Sequence, residues 1–361
     1  MRYVHAILIG VTVPLILTAT FFAVPSNMGR SDLATKTTDN SNVPDGQNLA
    51  STLPVAEAAS SKIHRITLSA EQLSNGLLAY KMVSYTVGVG KGKPADITSK
   101  YPSEATIPGP TIVLNEGDQV FLKIKNDIGS GMVSVHVHGV HYSIVSDGTL
   151  KHINEIKDEG ATPSKDYEYH WIAGAGTAGT WPYHDHTFAG INGAENKGLF
   201  GTVIVNPATG TVKATDDGVV KTVAISSISK NIVLYLGDDA FWGTEIKSDG
   251  TQRALWTNPH LIAADNELVR FHLIALGTDM HEFTMDDYQI VDPVTSTLVS
   301  TKPIGPLENL QFTLRADVAF AGGDDNYRDL QASNALMGVQ GIFEVTPFGG
   351  DSISSGIPDA F

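Results

Sequence analysis

Ile112-Val113-Leu114-Asn115-Glu116-Gly117-Asp118-Gln119-Val120-Phe121-Leu122-Lys123-Ile124 reads as two short apolar strands on either side of a polar, glycine-bearing turn. The pattern continues outward from there. Val133 to Val140 makes another strand, and Phe200 to Val205 closes a first unit just before Asn206-Pro207. A second unit starts near Val219 with Thr222-Val223-Ala224-Ile225 and continues through Leu268-Val269-Arg270-Phe271-His272-Leu273-Ile274. It ends with Gly341-Ile342-Phe343-Glu344-Val345. Short strands at this spacing, in a chain with 35 Gly and abundant Thr, Val and Ser, predict an all-β protein of two β-sandwiches. Ala208 to Gly218 reads as a linker between them, and residues 348–361 as a loose tail. The two units also echo each other. Gly117-Asp118-Gln119-Val120 and Asp265-Asn266-Glu267-Leu268-Val269 each precede a strand, and each unit closes on glycines around its last apolar strand (Gly198 and Gly201, Gly338 and Gly341), as duplication would leave them.

Composition narrows the function. The 361 residues are 42% hydrophobic and 17% charged, as in a globular protein, and the net charge of −15 argues against a nucleic-acid partner. There is no cysteine, hence no disulfide framework. Behind Arg2 an apolar run from about Ala6 to Val24 is long for a signal peptide and near the lower limit for a membrane span. Residues 1–24 are therefore expected to be a signal peptide or an N-terminal membrane anchor, and residues 25–60, polar and aperiodic, a flexible linker. Either way the folded part is expected outside the cytoplasm, secreted or tethered to the outer face of the membrane. No G-x-S-x-G elbow and no glycine-rich phosphate loop is present.

The chemistry lies in two histidine pairs, His136-Val137-His138 and His184-Asp185-His186. In a strand, side chains alternate between faces, so H-x-H puts two imidazoles on one face. Four imidazoles without a thiolate make a nitrogen site suited to copper or zinc and exclude the blue-copper ligand set, which needs a cysteine. Asp185 should point away from the metal and orient its surroundings, with Asp147 and Glu168 as candidate partners for the ring nitrogens. His141 is either an extra ligand or an exposed loop histidine. His272, between Phe271 and Leu273, reads as a satisfied strand residue. Met280, Met285 and Met337 are soft candidate ligands or simply core filling.

Several motifs in order resemble the multicopper oxidase superfamily, in its ceruloplasmin-like version. Ile107-Pro108-Gly109-Pro110-Thr111-Ile112 with Glu116-Gly117-Asp118 looks like the opening of a cupredoxin domain. His136-Val137-His138-Gly139-Val140-His141-Tyr142 resembles the family's first histidine motif. Gly179-Thr180-Trp181-Pro182-Tyr183-His184-Asp185-His186 resembles the second, and Gly198-Leu199-Phe200-Gly201 the strand after it. The resemblance implies two cupredoxin-like Greek-key sandwiches, residues 61–208 with the histidine motifs and 219–348 with degenerate ones. It also implies copper as cofactor, with His136 on the mononuclear (type 2) side and His138, His184 and His186 on the paired (type 3) side.

The second unit departs from the family pattern. Tyr327-Arg328-Asp329-Leu330 stands where the family has a Tyr-His-Cys-His run, Asn334 where the next histidine ligand would be, and Val339 in place of the axial methionine. His281 remains, but Thr284 and Asp286 follow where histidines would stand. Two-domain members of the family often form trimers, with the copper cluster between the first domain of one subunit and the second domain of the next. His281, Asp286, Arg328 and Asp329 are then candidates for the facing wall. The expected function is an exported, copper-dependent oxidoreductase acting on a small molecule. A copper-handling protein without turnover and a structural cupredoxin with a decayed site are the alternatives.

Overall fold

Gln119–Asn126 alternates along its whole length, with Val120, Leu122 and Ile124 buried and their neighbours partly exposed, as a strand with one face on a core should. The computed structural model describes residues 61–90, 92–149, 159–187, 197–318 and 324–354. The expected signal or anchor (1–24) and linker (25–60) lie outside the described residues. Among the described residues no helix is long and apolar enough to cross a membrane.

Ten strands build a first sandwich: β1 (Lys62–Gln72), β2 (Leu78–Val89), β3 (Ala95–Asp96), β4 (Thr111–Asn115), β5 (Gln119–Asn126), β6 (His136–Val137), β7 (His141–Tyr142), β8 (Tyr167–Ile172), β9 (Gly179–His184) and β10 (Phe200–Asn206). They form a six-stranded sheet in the order β3-β2-β1-β5-β8-β7 and a four-stranded sheet in the order β4-β10-β9-β6. Between the two sheets lies a core that includes Leu68, Leu122, Val137, Trp171, Tyr183 and Val203. The strand expected over Val133 to Val140 is shorter than its apolar pattern. Only His136–Val137 pairs as β6, while Val133 makes an isolated bridge to Ala161.

The second sandwich comprises β11 (Thr211–Asp216), β12 (Val219–Ala224), β13 (Lys230–Leu236), β14 (Phe241–Lys247), β15 (Gln252–Leu255), β16 (Leu261–Ala264), β17 (Leu268–Ala275), β18 (His281–Met285), β19 (Ile290–Val291), β20 (Leu298–Val299), β21 (Thr301–Ile304), β22 (Asn309–Arg315), β23 (Asp324–Asp329) and β24 (Gln340–Thr346), with a short helix α1 (Ala332–Met337) before β24. A seven-stranded sheet, β12-β11-β22-β17-β13-β14-β15, faces a five-stranded one, β16-β24-β23-β18-β21. The segment read as a linker is a correction: Thr211–Asp216 is a strand, joined to β12 by a tight turn in which Asp217 and Gly218 both take positive φ. The tail too is partly pinned. Ser352 is buried and bonds through its N–H and hydroxyl to Glu245 Oε2, at 3.0 and 2.5 Å.

The sandwiches pack on each other through a third apolar cluster, in which Phe200 and Ile204 of β10 meet Val233, Tyr235, Trp242 and Ile274. Strand β10 therefore has apolar neighbours on both faces, which is why its sequence is almost continuously hydrophobic. Polar pairs cross the same junction. The Thr202 hydroxyl bonds Tyr235 OH at 2.6 Å, the Thr180 hydroxyl bonds His272 Nδ1 at 2.6 Å, and Gln252 accepts from the N–H and donates to the carbonyl of Thr111. His272 is thus the satisfied strand residue expected of it, its Nε2 bonding Asn231.

The internal echo has a physical basis. Tyr183 and Tyr327 are both fully buried, and each donates its hydroxyl to a proline carbonyl, of Pro110 at 2.7 Å and of Pro259 at 2.5 Å. Each ring lies on a glycine. A Cβ at Gly201 would come within 2.3 Å of Tyr183 Cζ, and one at Gly341 within 2.2 Å of Tyr327 Cζ. Gly201→Ala and Gly341→Ala should each lower stability by about 1–3 kcal/mol through overpacking, read as a lower denaturant midpoint.

Candidate metal centre

The register of β6 and β9 brings the two histidine pairs together: the strands are antiparallel, with His136 directly opposite His184. The His138 N–H extends the contact to the Pro182 carbonyl at 3.0 Å. Alternation then sorts the side chains. Val137 and Tyr183 enter the first core, while His136 and His184 lie on the other face, which β9 shares with Thr180 at the junction. Gly139 ends the pair at φ +69°, where a Cβ would lie 1.9 Å from Trp181 Cδ2, so only glycine can turn the chain there.

One ring nitrogen from each of His136, His138 and His184 lies within 4.8 Å of the other two. His138 Nε2 and His184 Nε2 are 3.2 Å apart. The ring of His186 stands beside this trio, its centroid 5.5 Å from that of His136 and 5.7 Å from that of His184. His141 does not join them; it is exposed and its ring covers Gly174. Met285 is core, and Met280 and Met337 are exposed.

Backbone carbonyls decide which nitrogens carry protons. His136 Nδ1 lies 2.6 Å from the Asp147 carbonyl and 3.3 Å from its carboxylate, and His184 Nδ1 lies 3.0 Å from the Asp185 carbonyl. A carbonyl only accepts, so both Nδ1 atoms are protonated and both Nε2 atoms present bare lone pairs, the form a metal ligand needs. Of the two carboxylates considered from sequence, Asp147 holds His136, and Glu168 lies on β8 opposite Lys123. Asp185 behaves as expected of it: buried, it accepts from the Ser134 N–H at 2.7 Å and from the Thr187 N–H at 3.0 Å and hydroxyl, and so ties the start of one histidine motif to the end of the other. Tyr142, the last residue of the first histidine motif, is given no role of its own by the sequence. Its ring packs edge-on against His136, and burial, with the Asp147 charge second, pushes its phenol up to about 12.

Burial first, and then the neighbouring imidazoles His136, His184 and His186, push His138 down to about 3. His136 is lowered as well, mainly by burial, against the opposing pull of Asp147. These rings are neutral at neutral pH. Bare nitrogens converging at this spacing repel one another unless a cation or shared proton sits between them, so the donor set fits a nitrogen-bound metal ion.

Among the described residues, the corresponding place in the second sandwich holds no such cluster. His281 and Asp329 are both 1% exposed. Asp329 Oδ2 accepts from His281 Nδ1 and Asn334 Nδ2, both at 2.7 Å, and Oδ1 from the N–H groups of Glu282 and Gln331 at 2.8 and 3.0 Å. These bonds hold its carboxyl at about 2, against the opposing effect of burial. Of the four residues proposed for a facing wall, only Asp286 and Arg328 are near the surface, joined in a bidentate ion pair; His281 and Asp329 are internal.

Residues 98–210, which contain both histidine pairs, match the family model described as multicopper oxidase. That segment is similar to the multicopper oxidase family. Over 252 residues, 66% of this chain and 28% of the relative, it is 27% identical to a probable nitrite reductase-hydroxylamine oxidoreductase fusion protein of Kuenenia stuttgartiensis. It is also 33% identical to a laccase of Aspergillus fumigatus over 102 residues, 28% of this chain and 16% of the laccase. The matched segments thus span less than a third of these curated relatives. Among solved structures, the copper nitrite reductase from Nitrosomonas europaea shares the fold at a TM-score of 0.52 and 17% identity, covering 81% of this chain and 98% of that one. Similarity to multicopper oxidases and to a copper nitrite reductase implies copper as the cofactor.

A histidine that is neutral when folded and free to charge when unfolded makes the unfolded state bind more protons. Without metal, the protein should therefore lose stability as pH falls from about 6.5 towards 3. In His138→Asn this decline should be shallower, in denaturant titrations across that range.

Proposed function

We propose that this chain is an exported copper oxidoreductase acting on a small molecule, with copper held by His136, His138, His184 and His186. The convergence of three imidazole nitrogens within 4.8 Å, inside the segment matching the multicopper oxidase family, carries this reading. Copper bound there would supply one-electron chemistry and an open position for a small oxygen-bearing ligand. The protein's part is to keep the nitrogens bare and aimed. Asp147 and the Asp185 carbonyl lock two rings in the ligand tautomer, and the low proton affinity of His138 keeps its lone pair available at neutral pH.

The chain has no cysteine, and Asp329 stands where the resemblance places the blue-copper thiolate. Electrons then have no relay through the second sandwich, so a reactant has to reach the histidines directly. That favours small molecules over bulky phenols or protein donors. In a homotrimer, the exposed Asp286–Arg328 pair of one copy would face the histidines of the next, and the guanidinium would draw in an anion. Nitrite, the substrate named for the copper nitrite reductase, fits that description. The missing relay equally favours a second reading, in which the protein binds and hands on copper without turnover.

The full chain loaded with copper should hold stoichiometric metal with a type 2 electron paramagnetic resonance signal, lost in a folded His136→Ala/His184→Ala variant. Turnover of nitrite or of a reduced oxygen species would then establish the oxidoreductase, and tight reversible copper without turnover the handling role. Wild type and variant equally devoid of copper would overturn both.

A further inference from the structure

Strand β17 is buried from end to end, yet its sequence places Arg270 and His272 in the middle. Alternation sends Val269, Phe271 and Leu273 into the second core, and turns Arg270, His272 and Ile274 towards the first sandwich. His272 finds Thr180 and Asn231 there. Arg270, 3% exposed, finds only neutral oxygens: Asn206 Oδ1 accepts from Nη1 at 2.9 Å, and Gln311 Oε1 accepts from Nη2. These contacts occupy two of the five guanidinium donors. Among the described residues no carboxylate pairs with it, and burial alone pulls it down to about 10, still charged at neutral pH.

A buried cation without a counter-charge is a costly arrangement for a merely structural clasp, which a neutral amide would serve as well. Arg270 also lines a cleft of about 370 Å³ at the junction of the two sandwiches, within the usual size range of ligand sites. Gln311 and Thr313, its neighbours across β22, share the polar floor, and Lys213 stands at the exposed rim. Val212, Val291 and Pro293 supply apolar wall. Gly179 lines the same cleft, at the opposite end of β9 from His184. The cleft therefore lies roughly 17 Å along that strand from the histidines, at about 3.3 Å per residue.

We infer that this cleft is a binding site for a small organic acid, whose carboxylate meets Arg270 and whose apolar body lies against Val212, Val291 and Pro293. The planar fork of the guanidinium matches a carboxylate, and the walls favour a ligand with a hydrophobic part over a bare inorganic ion. This site is independent of copper and of the reading of the histidines.

Metal-free full chain, titrated with sodium benzoate in one arm and sodium phosphate in the other at ionic strength matched with sodium chloride, tests it by calorimetry and thermal melting. Benzoate should bind saturably at one site per chain and raise the melting temperature, and phosphate should do neither. In Arg270→Gln, benzoate binding should weaken by about tenfold or more, the loss expected with a charge-assisted hydrogen-bond pair. Should that variant not fold, Val212→Trp, which fills the cleft from its partly exposed wall and leaves Arg270 in place, should abolish benzoate binding. Binding of phosphate alone would overturn the organic-acid assignment. No binding of either anion by the wild type, or benzoate binding that survives Val212→Trp, would overturn the site.

Discussion

The antiparallel register that sets His136 opposite His184 is the constraint on which the candidate centre depends. A slip of one residue would exchange Val137 and Tyr183 for the histidines and bury imidazoles in the first core. Several contacts hold it. Tyr183 is anchored to the Pro110 carbonyl above Gly201, and Asp185 grips the Ser134 N–H two residues before His136. The histidines then have no freedom to avoid one another, and the Asp147 and Asp185 carbonyls choose the nitrogens they present.

The same scaffold is built twice and put to different use. Tyr327 over Gly341 repeats Tyr183 over Gly201, and Asp329 accepts the Glu282 N–H as Asp185 accepts that of Ser134. Around the first carboxylate stand His184, held in the ligand tautomer, and His186, whose ring lies beside the imidazole trio. Around the second, His184 is replaced by Arg328 and His186 by Leu330, and the carboxylate is saturated by four donors, two of them from His281 and Asn334. That hydrogen-bond cluster, centred on Asp329, ties β18, β23 and α1 together, although the buried His281 Nε2 takes no part in it. Among the described residues, only the first sandwich retains a donor set with metal-binding character.

Between the sandwiches, apolar packing and polar pairs are interleaved. Phe200 and Ile204 supply hydrophobic contact, while Thr180, Thr202, Gln252 and Arg270 give the junction its directional bonds. Those bonds specify a unique seating of one sandwich on the other, which apolar surface alone specifies poorly. Arg270 differs from the rest, because its partners are neutral and its charge faces an open cleft.

Fold class and the four histidines were legible in the chain itself, because strand period and H-x-H spacing are local properties. So was the loss of the thiolate, since composition alone excludes it. The strand Thr211–Asp216 was not: it is short and partly polar, and although β12 follows it across a tight turn, its other partner, β22, lies far along the chain. Nor was the choice between Asp147 and Glu168. Both are near in sequence, but only the chain's path after β7 brings a carbonyl and a carboxylate to His136 Nδ1. The burial of His281 and Asp329, against the exposure of Asp286 and Arg328, depends on which way β18 and β23 turn their alternate residues. Composition and local spacing are enough to say which side chains could carry chemistry. Which nitrogens converge, which charge has no counter-charge among the described residues and which candidates are sealed in a core are settled by long-range register and packing, not by spacing.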